Sequence, residues 1–296
     1  MPNRFTWIAS TLLVAMIAIE AINGRLWLND LRVYWEASGH FLHGEAVYGS
    51  SFGLDSGFYK YAPIGLIFFS PLVLLPFPVA SVVFALLIAA AIVIEIHAAD
   101  RLVRRQALVG APFSEAVLYL TLLITAVHFH RELHLGNVNM LLLLALLVGI
   151  DRSMKGMGNS AGALFGLAML MKPHFVVLLP LLLLHRKWRE VSAASITIAV
   201  GILLPVLLMG WRSGVALHGE WLHAMVAHNA SVFYTGSGSK MATDTLYSVL
   251  WQVSGGLLPA TNAVAGLVLA VVALAFFFVD RRMTRAIGEQ RSFICS

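Results

Sequence analysis

Long apolar runs stand almost end to end in this chain, and that pattern restricts its fold more than any single motif. Residues 79–96 read VASVVFALLIAAAIVIEI, with Glu95 the one charged side chain, and residues 140–150 read MLLLLALLVGI. Only 12% of the 296 residues are charged while 59% are hydrophobic, and the mean hydropathy is +0.83. A water-soluble domain cannot cover itself with so few charges, so the chain reads as a polytopic membrane protein. Lipid offers the backbone no partners, and continuous rather than alternating apolar runs select helices over a barrel. The expected fold class is therefore all-α, one helical membrane domain over residues 1–296.

Hydropathy and proline breaks predict crossing segments near 5–23, 78–99, 115–134, 138–151, 160–171, 174–185, 191–210 and 258–279, about eight in all. The first is read as an uncleaved span, because Ala-Ile-Glu-Ala at 18–21 puts a glutamate where a signal cleavage site needs small residues. The stretch 160–185 is split at Lys172-Pro173, and its halves are too short to cross a core of ~30 Å. Proline cannot continue the helical ladder and restricts the residue before it, so a hairpin turning at Lys172 is predicted. Residues 61–76, bounded by prolines and interrupted at Ser70-Pro71, read as a helix lying in or dipping into the outer interface.

With both termini inside, thirteen of the twenty Lys and Arg residues fall on the inner side and seven on the outer. The positive-inside rule supports that orientation in a bacterial-type plasma membrane. The outer side then carries a loop with interfacial helices, 24–77, and a second segment, 211–257. The net charge of +5 reflects charges at membrane surfaces and gives no reason to expect nucleic acid. Cys295 is the single cysteine, so no disulfide forms within one chain.

Polar chemistry concentrates outside. Residues 28–49, LNDLRVYWEASGHFLHGEAVYG, follow an apolar run and carry Asp30, Arg32, Glu36, His40, His43 and Glu45. Over 31–43 the periodicity is helical, with Leu31, Tyr34, Trp35, Ser38, Phe41 and Leu42 on one face and Gly44 as the stop. Asp30 at its start fits an N-cap, which accepts from exposed backbone N–H groups. Lys60, Arg131 and Lys172 are the outer cations nearest apolar segments. A lysine at a helix break is costly unless it faces a cavity or partner, or snorkels to the surface. No carboxylate near Lys172 in the sequence offers a partner; His174 follows it. In HFHRELHLGNVN at 128–139, His130 and His134 share a helix face but His128 does not, so no metal site is expected. Asn137 and Asn139 suit either hydrogen bonds to sugar hydroxyls or capping of the next span. TGSGSK at 235–240 lacks the spacing of a phosphate-binding P-loop.

Asp30, Tyr34, Gly44, Tyr48, then Tyr61 and Pro63 before an apolar stretch, resemble in order the opening of glycosyltransferase family 87. GNVN at 136–139 resembles that family's Gly-Gln-x-Asn segment, with Asn137 where glutamine is usual, and GLAMLMKPHF at 166–175 resembles its Lys-Pro helix break. Family members usually continue well beyond the position of Ser296. The resemblance implies a GT-C-like enzyme that transfers a sugar, mannose foremost, from a polyprenyl-phosphate donor. The acceptor is the hydroxyl of a lipid-linked or cell-envelope molecule on the extracytoplasmic face, and the anomeric centre inverts. It implies Asp30 as the base, with Asp55 and Glu36 as rivals. The substrate-binding set it implies is Tyr34, Tyr48, Lys60, Tyr61, Arg131, Glu132, Asn137, Asn139, Lys172 and His174, with no cofactor and no metal. Partners are the donor, the acceptor and membrane lipid. A transporter or flippase, or a non-catalytic binder of lipid-linked sugars, stays open beside it, although no internal repeat of the transporter kind is visible.

Overall fold

The computed structural model describes residues 4–54, 57–107 and 115–234, with Val271 and Phe278. The expected span at 258–279, most of the segment 211–257 beyond Tyr234, Asp55 and Cys295 lie outside the described residues. The chain divides into two compact units, Met1–Ala224 and Met225–Ser296, and the account below concerns the first.

Helix α1 (Arg4–Ile22) buries Phe5, Ala9, Leu13 and Ile17, a stripe at i, i+4 spacing, and exposes Trp7, Ile8, Leu12 and Ile19. A helix apolar all round with only one packed stripe belongs in lipid. Helix α4 (Phe77–Ala107) runs for 31 residues beside it and holds the centre of the core with Phe84, Ile88 and Ile92. Its basic end is partly paired: Arg104 bonds Asp100 at 2.8 Å and Arg105 bonds Asp151 at 2.7 Å. Lys155 closes on the same Asp151, at 2.5 Å.

Two helices lie between α1 and α4. Helix α2 (Asn29–His43) buries Leu31, Val33, Tyr34, Ala37 and Ser38 and stops at Gly44, whose φ is +72°, with Glu45 N–H returning to His40 O at 2.9 Å. This is the left-handed stop expected there. The cap reading of Asp30 is corrected: Leu28 holds the cap position, in the left-handed region at φ 36°, and Asp30 sits inside the first turn. Leu42 also departs from the expected apolar face and is exposed. Helix α3 (Pro63–Val73) packs on α2, and Trp35 Nε1 donates to the carbonyls of Leu72 (3.0 Å) and Leu75 (3.2 Å). It runs through Ser70-Pro71, where the sequence predicts an interruption. Between them β1 (Ser51–Phe52) and β2 (Gly57–Phe58) form a small antiparallel ribbon, an addition to the all-helical expectation.

Helices α5 (Glu115–Leu135) and α6 (Asn139–Met154) are bent by 120° at the short break between them. Helix α7 (Gly158–Met171) ends at Lys172, followed by a 3-10 turn (Pro173–Val177) and α8 (Leu178–Leu184). Phe175, Leu178, Leu179 and Leu182 pack against the cluster of Ala161, Phe165 and Met169, so the chain folds back at Lys172 as the proline break predicts. Helix α9 (Trp188–Met209) lies along α7 and is followed by α10 (Trp211–Tyr234). Against the eight crossings expected from hydropathy, three described helices (α1, α4 and α9) are long and apolar enough to cross a membrane, or up to four if the bent α5–α6 pair is one span.

Candidate active site

The break between α5 and α6 is shaped by one close packing. Gly136 has φ +66°, and a Cβ there would lie 2.8 Å from Leu28 Cβ. Leu28, fully buried and itself in the left-handed region, therefore seats directly on a glycine. Each is followed closely by a polar residue, Asp30 after Leu28 and Asn137 after Gly136. The contact thus brings together side chains more than a hundred positions apart. Asn137 Nδ2 donates to Asp30 Oδ2 at 2.6 Å.

The network continues from there. Asn137 Oδ1 accepts from the Asn139 backbone N–H at 3.2 Å. Asn139 Nδ2 donates to both oxygens of Glu132, at 3.1 and 3.0 Å, and its Oδ1 accepts from Lys172 Nζ. Lys172 thus has a partner that the sequence alone does not reveal, an amide backed by Glu132 and, further off, Asp30.

Asp30 is half-buried, and burial pushes its carboxyl above the usual range. The bond from Asn137 and the charges of Lys60, Lys172 and Arg131 pull the other way. Burial likewise holds Lys172 below the usual ammonium range, opposed by Glu132 and Asp30. His174, largely exposed and with its ring against Phe175, is lowered by partial desolvation and by the charge of Lys172. A carboxyl raised by burial, with three cations acting on it, is an arrangement that can move a proton beside an anion.

The tyrosines hold different places. Tyr34 is only 4% exposed, its ring stacked on Phe69 at 4.5 Å, and its hydroxyl meets that of Tyr61 at 3.0 Å. Tyr48 donates to the Tyr61 carbonyl at 2.8 Å. Tyr34 and Tyr48 therefore fix Tyr61, which remains partly open and whose phenol burial pushes up to about 12. Lys60 and Arg131 are exposed, and the Lys60 carbonyl is held by Trp221 Nε1 at 3.2 Å. Sequence reasoning missed Leu28, Gly136 and Tyr59, the last buried between Tyr34, Tyr48 and Tyr61. A glycine just before the Asn-x-Asn segment was the signal for the first pair.

Glu36, a rival base, accepts from Gly53 N–H at 2.8 Å and ties α2 to the ribbon. His130 and His134 do share a face, their rings parallel with centroids 5.9 Å apart, and both turn to Glu20 of α1, at 3.8 and 3.9 Å. Among the described residues no group of three or more His, Cys, Asp or Glu side chains has the geometry of a metal site.

The sequence model of glycosyltransferase family 87 matches residues 58–293. The chain belongs to glycosyltransferase family 87. As a member it is an integral membrane glycosyltransferase, consistent with its long apolar helices. No curated protein and no solved structure matches it. The family 87 match begins at Phe58, so it includes Lys60, Tyr61, Arg131, Glu132, Asn137, Asn139, Lys172 and His174, while Asp30, Tyr34 and Tyr48 precede it. In this family 87 chain Asp30 is tied into the matched region by its bond to Asn137.

Proposed function

We propose that the protein transfers a sugar, mannose foremost, from a polyprenyl-phosphate donor to the hydroxyl of a lipid-linked or cell-envelope acceptor at the extracytoplasmic face. The reading rests on one observation above all: Asp30, half-buried, keeps one oxygen on Asn137 and lies among three cations. Among the described residues its Oδ1 has no hydrogen-bond partner, and it is the atom offered to an acceptor hydroxyl.

The reaction asks two things of these residues. The acceptor O–H gives its proton to Asp30 as its oxygen bonds to the anomeric carbon, and the bond from that carbon to the phosphate oxygen breaks. The leaving lipid phosphate takes up the negative charge, which a cation must hold. Lys172 is assigned that role, with Lys60 and Arg131 adding positive potential. In-line displacement inverts the anomeric centre. For the donor's tail, an apolar cavity of about 320 Å³ opens between α3, α4, α6 and α7, lined by Phe68, Phe84 and Leu141 among others. Val138 and Met171, neighbours in sequence of Asn137, Asn139 and Lys172, line it too, so apolar space adjoins the polar network.

The test is incubation of membranes with labelled polyprenyl-phosphate mannose, comparing the natural protein with Asp30→Asn. Label moving into a lipid or glycan product in the first and not the second supports the reading. Donor binding with no product in either points instead to a non-catalytic binder, and passage of donor across the bilayer without transfer to a flippase.

A further inference from the structure

Both asparagines of the Asn-x-Asn segment are held by protein at both ends of the carboxamide. Asn137 gives one N–H to Asp30, and its carbonyl accepts from the Asn139 backbone. Asn139 spends its NH2 on Glu132 and its carbonyl on Lys172. The direction of each carboxamide is set by charge: an anionic oxygen accepts only and an ammonium donates only. Glu132 therefore fixes which end of Asn139 faces Lys172, and Asp30 fixes which end of Asn137 faces the next amide. The bonds to Asp30, Glu132 and Lys172 are charge-assisted, the stronger kind, so a sugar hydroxyl would not readily displace them and would meet only the second N–H of Asn137 and the spare carbonyl lone pairs.

We propose that Asn137 and Asn139 are positioning residues, not sugar ligands: they join Asp30 and Lys172 into one hydrogen-bonded unit anchored on Glu132. This rests on the function proposed above. The unit sets the distance between the group that takes the acceptor's proton and the group that holds the leaving phosphate. It also fits the lack of a direct Asp30–Lys172 ion pair among the described residues, although each feels the other's charge. A direct ion pair would cover the carboxylate oxygen and the ammonium that the substrates need, and the amides hold the two apart. Glu132, in the same way, supports Lys172 through Asn139 and does not touch substrate.

The consequence for Asn137 is a displaced pH profile. Its N–H favours the ionised form of Asp30, so removing it raises the pH below which the base is lost. In Asn137→Ala the acidic limb of transfer from labelled polyprenyl-phosphate mannose to membrane acceptor lipids moves up by roughly one to two pH units. The donor KM stays within about twofold, since no substrate contact is lost. Asn137→Gln, which keeps the carboxamide, restores much of the original profile. Where the alanine variant does not fold, Asn137→Asp serves, and its added negative charge displaces the limb in the same direction. A donor KM raised about tenfold or more with an unmoved limb overturns the proposal and makes Asn137 a sugar ligand.

The consequence for Asn139 is non-additivity. Asn139→Ala and Lys172→Met each weaken binding of polyprenyl phosphate, and the double variant is no weaker than the worse single one. Losses that add in full overturn the proposal, because Asn139 then acts independently of Lys172. Asp30→Asn, run alongside, keeps the two readings apart. Full transfer by that variant removes the proposed function itself. An inactive Asp30→Asn beside an unmoved limb in Asn137→Ala removes only the positioning role.

Discussion

At the scale of single residues, a charge is useful here only because its neighbours are amides. Asp30→Asn keeps an oxygen for Asn137 to donate to, so the fold should hold while the base is gone. Transfer should fall by about 10²–10⁴-fold, the usual worth of general-base catalysis, in a labelled-donor assay. Because burial raises the Asp30 carboxyl, activity of the natural protein should decline on acidification earlier than an ordinary carboxylate would dictate. The base works ionised, so the loss comes as pH falls through that raised value, and a pH–rate profile reads it directly. Lys172→Met should weaken polyprenyl-phosphate binding with the protein still extractable, whereas a lysine that merely reached the surface would tolerate methionine without loss of affinity. Lys172 stood out in the sequence as a charge at a proline break in an apolar run, and Asp30 was named as candidate base through the family resemblance. Their partners were not legible. The Asp30–Asn137 bond spans 107 positions and depends on a bend that hydropathy does not register. Tyr34 was legible as part of the apolar face of α2, but not that α3 closes over that face and leaves it 4% exposed.

At the scale of elements, two close approaches decide where the helices lie. The first is Leu28 on Gly136, where α2 begins and α5 turns into α6. Gly136→Ala would place a Cβ 2.8 Å from Leu28 and a side chain in the left-handed region, which alone costs about 1–2 kcal/mol. The expected result is a lower melting temperature together with loss of transfer, as Asn137 moves off Asp30. The second is the packing of α7 on α9. A Cβ on Gly162 would meet the Glu190 backbone oxygen at 2.2 Å, and one on Gly166 the Ala194 oxygen at 2.7 Å. Small residues every fourth position let two apolar helices approach closely where lipid supplies no hydrophobic drive. Gly162→Leu should therefore part the helices at a cost of about 1–3 kcal/mol or more, read as a fall in the melting temperature of the detergent-extracted protein. The Gly158, Gly162, Gly166 spacing is present in the sequence, but sequence reasoning missed it. The lengths of α5, α6, α7 and α8 were harder to read, because apolar composition says where helices can lie and not where they bend.

At the scale of the whole first unit, α4 works as a ruler between two unlike ends. Trp35 and the Arg32 guanidinium pack on Phe77 at its start, the guanidinium 4.3 Å from the ring centroid, so α2 and Asp30 belong to that end. Arg104 and Arg105 close the other end on Asp100 and Asp151. From Phe77 to Arg105 an ideal helix rises roughly 42 Å, more than the ~30 Å hydrocarbon core, so the two ends face opposite sides if α4 crosses upright. The basic end gathers Arg101, Arg104, Arg105, Arg152 and Lys155, and clustered Lys and Arg favour the cytoplasmic side. On the proposed orientation Asp30, Asn137 and Lys172 would open to the outer side, where a donor's sugar would be presented. Single cysteines at Trp27 and Val103, introduced into a Cys295→Ser background, should separate under a membrane-impermeant thiol reagent. Trp27→Cys should label in intact cells and Val103→Cys only after lysis. Labelling of position 103 from outside would reverse the protein in the membrane. It would also carry the Asp30 site to the cytoplasmic face, leaving its network intact and an acceptor on the other side to be sought.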